Sequence, residues 1–113
     1  MTVRELIESG TFEVVNEGED LDKKITTPFC CDLLSIAMGK APSGCAWVTV
    51  MGNVNTLAVA VLAEAACVIM AEGISLDESA VKKAAEQKIT VLKTEIPVFE
   101  AALLVHNKQE EIP

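Results

Sequence analysis

Aromatic residues are scarce in this chain. There is no tyrosine, one tryptophan and three phenylalanines in 113 residues. Half of the chain is apolar all the same, mostly as Ala and Val, and side chains this small favour close packing of helices on a sheet. Arginine occurs once, as Arg4, and histidine once, as His106. There is no basic run. With 17 acidic against 9 basic residues and a net charge of −8, nucleic-acid binding is disfavoured, because phosphate neutralisation needs a positive face. An anionic membrane surface is disfavoured for the same reason. No C-x-x-C pair occurs among Cys30, Cys31, Cys45 and Cys67, so zinc-finger spacing is absent. No G-x-x-x-x-G-K-[ST] loop exists to cradle a triphosphate, which speaks against a kinase or ATPase. The longest apolar stretch, Leu57 to Ala71, is broken by Glu64 and is too short to span a bilayer. Met1-Thr2-Val3-Arg4-Glu5 lacks the basic and apolar regions of a secretory signal, so a cytoplasmic location is expected.

What is present points to one α/β domain over residues 1–113, with its core at about 10–106 and a polar, frayed tail at 107–113. Thr2-x-x-Glu5 is a capping box opening a short helix that Gly10 ends. Thr11 to Val15 alternate as a strand, and Leu21 to Ile25 pair back or run as a loop. Thr27-Pro28 has the form of an N-cap and a proline at the first helical position, predicting a helix from there to Met38. Residues 46–51 and 66–70 are apolar on both faces, the pattern of central parallel strands covered on both sides. Asn55 or Thr56 caps the Ala-rich helix between them. Ser75-x-x-Glu78 is a second capping box, before a helix over 76–87 with a charged face. Ile89 to Leu92 form a short strand, and Pro97 starts a last helix to about His106. Strand, helix, strand, helix, strand, helix from residue 45 onward predicts a mostly parallel sheet of four or five strands flanked by helices.

The run from Asp22 to Met38 resembles the signature of the DRTGG family, in which Asp-Arg is followed after two residues by Thr-Gly-Gly, an aromatic and an Asp-Leu-Leu-Ser-like helix. Asp22, Thr26, Phe29, Asp32, Leu33, Leu34 and Ser35 fit it. Lys23 stands in place of the Arg, and Thr27-Pro28 in place of Gly-Gly. Trp47 to Leu62 and Thr90 to Glu100 look like the family's later elements, so the likeness covers roughly residues 10–105. The resemblance implies a fold similar to the N-terminal domain of HPr kinase/phosphorylase. It also implies a regulatory or dimerising role beside catalytic domains, with an adenine nucleotide as a ligand by analogy. Pro28 removes an N–H from the turn where the family has glycine and thus weakens any anion clasp there.

No catalytic residue or metal ligand set emerges. Ligands of open parallel sheets gather outside the carboxyl ends of the strands, and Thr26, Thr27, Asn53, Asn55 and Thr94 are the polar residues expected there. The same residues also suit turn and cap duties, and both readings stand at this level. The function expected is a non-catalytic regulatory or protein-interaction module, a homodimer, with a larger enzyme or regulatory protein as a further candidate partner. The Ala/Val helix 56–63 is a candidate contact. The alternative is a redox or iron–sulfur accessory subunit using Cys30 or Cys31, against the simpler reading of four small buried thiols.

Overall fold

The computed structural model describes all residues 1–113. Ten elements follow in order: α1 (Val3–Glu8), β1 (Glu13–Asn16), β2 (Pro28–Cys30), α2 (Leu34–Lys40), β3 (Ala46–Thr49), α3 (Val54–Leu62), β4 (Cys67–Met70), α4 (Glu78–Gln87), β5 (Val91–Lys93) and α5 (Val98–Glu111). They form one five-stranded sheet in the order β1-β5-β4-β3-β2. β2 to β5 are mutually parallel, while β1 runs antiparallel to β5 with an irregularity between Val14 and Asn16. The expected mostly parallel sheet flanked by helices is what the chain adopts.

Alternation along the strands builds two cores. Ala46, Val48, Cys67, Ile69 and Leu92 face α1 and α5 and join Val3, Leu6, Ala101 and Val105. Trp47, Val68, Met70 and Val91 face the other way, onto Ala37 of α2, Leu57 and Ala60 of α3, and Ala80 and Ala84 of α4. Every residue of β3 and β4 is buried, and both strands lie inside the sheet, as their two-sided apolar pattern requires. The small alanines let three helices sit close on one face. No helix is long and apolar enough to cross a membrane.

The N-terminal and C-terminal limits of the expected core need correction. Met1, Val3 and Leu6 are buried, because the Thr2–Glu5 capping box forms and lays α1 on the sheet. The tail is not frayed up to Glu111. Residues 107–111 continue α5, and Gln109 Nε2 donates to the Ile25 carbonyl at 2.9 Å, tying the end down.

The segment 28–38 differs most. Pro28–Cys30 is a strand, and the helix begins only at Leu34. The Thr27 hydroxyl caps nothing, since it donates to the Pro28 carbonyl. Pro28 heads an edge strand, where a missing N–H is tolerated. Tertiary contacts override the local helix signal. Phe29 packs on Trp47 with ring centroids 6.5 Å apart, and Trp47 Nε1 donates to the Cys31 carbonyl at 3.0 Å. Other caps shift too. Asn53, not Asn55 or Thr56, caps α3, and Ser75 does not cap α4, whose N-cap is Asp77 without a side-chain bond.

Candidate functional site

Helices α2, α3 and α4 all cross on one face, and the parallel strands follow in unbroken sequence from β2 to β5. Ligand crevices of open α/β sheets form where strand order reverses and adjacent loops diverge to opposite faces. Strand order does not reverse among these parallel strands, but α4 packs on one face and α5 on the other, so the loops after the adjacent β4 and β5 diverge. Elsewhere at that end the loops pack closely. A β-carbon on Gly52 would come within 2.6 Å of the Ser75 carbonyl oxygen, and the Asp77 N–H donates to the Gly52 carbonyl at 2.8 Å. The loop after β4 is thus pressed against the loop after β3.

The five polar residues expected at one end are split between two. Asn53, Asn55 and Thr94 do lie at the carboxyl ends of β3 and β5. Asn53 Oδ1 accepts from the N–H groups of Asn55 and Thr56 at 3.0 and 3.2 Å. Thr94 Oγ1 accepts from the Ile96 N–H at 3.2 Å. Thr26 and Thr27 precede β2, which runs parallel to β3, and so lie at the amino ends. The Thr26 hydroxyl donates to the Ser43 carbonyl at 2.8 Å. A four-residue strand is roughly 13 Å long, so no compact ligand touches both sets. The expectation that topology gathers all five is corrected by where β2 begins.

Asp32 is a residue the sequence did not single out for this role. It falls within the helix expected from Pro28 to Met38 but lies in the β2–α2 turn. Its Oδ1 accepts from the Thr49 hydroxyl at 2.9 Å and the Val50 N–H at 3.2 Å. Thr49 is fully buried, and the carboxylate satisfies its hydroxyl while fixing the end of β3. Glu72 acts similarly for α5, accepting from the Val98 N–H at 3.0 Å. These carboxylates are structural acceptors, and no group of three His, Cys, Asp or Glu side chains is placed to hold a metal ion.

The four thiols divide by depth. Cys45 and Cys67 are buried, and burial pushes their thiols up to about 11 and about 12. Cys30 is exposed on the edge strand, yet partial burial and then the nearby Asp32 carboxylate raise its thiol too. Both effects disfavour the thiolate that redox chemistry and metal binding require.

Concave surface exists at the opposite, amino end of the strands. One cavity of about 180 Å³ is lined by Lys23, Ala66, Lys88, Ile89 and Thr90 among others. A second of about 250 Å³ lies between α3 and α4. They share Val61 and Gln87 and form one groove. Its floor depends on a close approach, since a β-carbon at Gly18 would collide with the Lys88 carbonyl and the Thr90 backbone. Gly18 also donates its N–H to Thr90 Oγ1 at 2.9 Å. The sequence offered no sign of this groove, because its lysines come from a loop, a helix and a helix cap.

Two further surfaces flank β2. α2 buries only Ala37 and leaves Leu33, Ile36 and Met38 exposed. α5 packs on β2 and β3 from the other face and leaves Phe99 and Leu103, one turn apart, exposed. The strand edge itself is blunted. The Thr27 carbonyl accepts from the Ala46 N–H, so Pro28 turns its own N and carbonyl to the open side. Pro28 has no N–H to offer, and its carbonyl is taken by the Thr27 hydroxyl. Strand addition is discouraged there, whereas side-chain docking is not.

Comparison with protein-family models gives no match, and comparison with curated proteins gives none either.

Proposed function

We propose that the chain is a non-catalytic interaction and regulatory module of DRTGG type that works as a homodimer. The observation that carries this reading is the exposed apolar surface around the β2 edge. Leu33 is 55% exposed, Met38 59% and Phe99 69%. Large apolar groups on both sides of one sheet edge, from α2 and α5, support a contact surface there. The contact differs from the helix 56–63 expected beforehand. That helix spends Leu57, Val59 and Ala60 on the sheet, whereas α2 buries a single alanine. The blunted edge makes the contact one of side chains from α2 and α5, not of a continued sheet. The net charge of −8 opposes self-association at low salt, so the dimer strengthens as salt rises.

Sedimentation equilibrium at micromolar concentration tests this. A species of twice 12.0 kDa is expected, reverting to the monomer in the double variant Met38→Glu, Phe99→Glu. A purely 12.0 kDa species in the unmodified protein rejects the dimer.

Regulation by an adenine nucleotide is the second reading. It rests on the resemblance alone, because the groove at the amino end of the strands, where Lys23, Lys88 and Thr90 border apolar Val61 and Ile89, presents helix C-terminal carbonyls to a phosphate. Calorimetric titration with AMP, ADP and ATP decides it, and absence of heat from all three removes it.

A further inference from the structure

The groove between α3 and α4 has a composition that a dimer through α2 and α5 leaves unused. Its wider part is walled by Ala58, Val61 and Leu62 on one side and by Lys83 and Gln87 on the other. Leu62 is 71% exposed, the highest value among the chain's large apolar side chains. Three lysines border the joined cavities, Lys23, Lys83 and Lys88, against one lining carboxylate, Asp20. With Glu19 paired to Lys88, three lysines meet two carboxylates, a small local excess of positive charge in a chain with 9 basic and 17 acidic residues.

The three lysines are not equivalent. Lys23 Nζ donates to the Glu64 carbonyl at 3.0 Å, and Lys88 pairs with Glu19 at 3.5 Å. Both sit where α3 and α4 end, and cations at helix C-termini are favoured by the exposed carbonyls. Their presence therefore has a local reason. Lys83 does not share it. It lies before the last turn of α4, which carries no basic residue, and it has neither an ion-pair partner nor a hydrogen bond. Lys83 and Gln87 stand one turn apart on α4, facing exposed Val61 and Leu62.

The C-terminal carbonyls of α3 and α4 disfavour any anion set directly against them, so acidic groups must meet the lysine amines from the solvent side, which carboxylates spaced along a peptide do. Between them the solvent-open groove of about 250 Å³ offers Val61 and Leu62 as a surface on which one large apolar side chain can lie. Long-range repulsion from the net charge is screened beyond about 8 Å at physiological salt, so the nearby lysines dominate.

We propose that this groove docks an acidic peptide segment of a partner protein, with one apolar side chain against Val61 and Leu62 and flanking carboxylates on Lys83 and Lys88. This surface is separate from the β2 edge, so either proposal can fail without the other.

The test is an NMR titration of the full-length, ¹⁵N-labelled chain. The probe is a capped peptide, Glu-Glu-Asp-Leu-Phe-Glu-Glu, with a control in which Gln and Asn replace the carboxylates. A second, charge-reversed peptide carries Lys at the acidic positions, and AMP serves as a small anion. The acidic peptide is expected to shift the amides of Val61, Leu62, Lys83 and Gln87, and the effect should fade with salt. Lys83→Glu should weaken it about tenfold, the effect of losing one close charge pair, and should turn binding towards the charge-reversed peptide. Lys83→Ala, a milder change on an exposed helix face, should weaken the acidic peptide without that gain. No shift, shifts confined to α2 and α5, or equal binding of the neutral control overturns the proposal. So does binding of AMP at these residues without the peptide.

Discussion

Helices α2 and α4 lie on the same face of the sheet, each linking two neighbouring parallel strands, yet they meet water with opposite chemistry. α4 buries Ala80 and Ala84 and turns Glu78, Lys82 and Glu86 outward. Its outward face is mostly charged, with Val81 the one large apolar side chain left exposed. α2 buries Ala37 alone and turns Ile36 and Met38 outward, with Leu33 just before it. Neither helix has a side-chain cap at its N-terminus. A helix that leaves Ile36 and Met38 in water, with Leu34 half-buried against the core, is held chiefly by what lies under it.

The largest expected effect comes from removing what lies under α2. Trp47 is the largest fully buried side chain. It carries Phe29 and holds the Cys31 carbonyl just before α2. Trp47→Ala should cost about 3–5 kcal/mol in urea unfolding. In native-state hydrogen exchange, α2 should lose protection well before α4. Equal loss in both helices would break the contrast.

Next comes Asp32→Ala, which leaves the buried Thr49 hydroxyl and the Val50 N–H without their acceptor. A cost of about 1–3 kcal/mol is expected, with Asp32→Asn recovering most of it because the amide oxygen still accepts. If Asp32→Ala unfolds at the same urea midpoint as the unmodified chain, the carboxylate does not hold the β2–α2 turn.

Leu33→Asp supplies the cap that α2 lacks, at a position already in extended backbone, φ −133° and ψ 112°. It should raise the thermal midpoint of the monomer through about 1 kcal/mol of added stability while weakening self-association. Greater stability and weaker dimerisation from one change would separate folding from contact. A dimer unaffected by the new charge would place the interface elsewhere.

The smallest effect is Gly39→Ala. Gly39 lies inside α2, and an added β-carbon meets nothing within 4 Å. Alanine there should stabilise by about 0.5–1 kcal/mol, read from the shift in melting temperature. A loss of stability would mean that α2 needs its flexibility more than its helix propensity.

Much of this architecture was legible from residue pattern. The two-sided apolar runs at 46–51 and 66–70 announced β3 and β4, and Thr2 with Glu5 announced the cap of α1. These are local signals, and burial on both faces or a bond three residues away satisfies them without help from distant residues. The Thr27-Pro28 pair misled because proline at a helix start and proline at the head of an edge strand look alike in sequence. Only Trp47, 19 to 20 positions further on, decides between them. The candidate site was legible least. Asn53 fits a ligand contact and a helix cap equally well in sequence, and the fold uses it as the cap of α3, while Lys83 is one charge among several on a solvated helix face.

The sequence by itself determined the class of fold, the interior strands, the scarcity of aromatic anchors and the acidic charge. Each of these depends on composition or on periods of two and of about 3.6 residues. The tertiary structure alone decided that strand order runs without reversal, that Thr26 and Thr27 lie a strand's length from Asn53, and that three lysines from separate segments border one groove. Those facts depend on which strand neighbours which and in what direction, and they arise from packing between residues dozens of positions apart, for which no local pattern in the chain stands proxy.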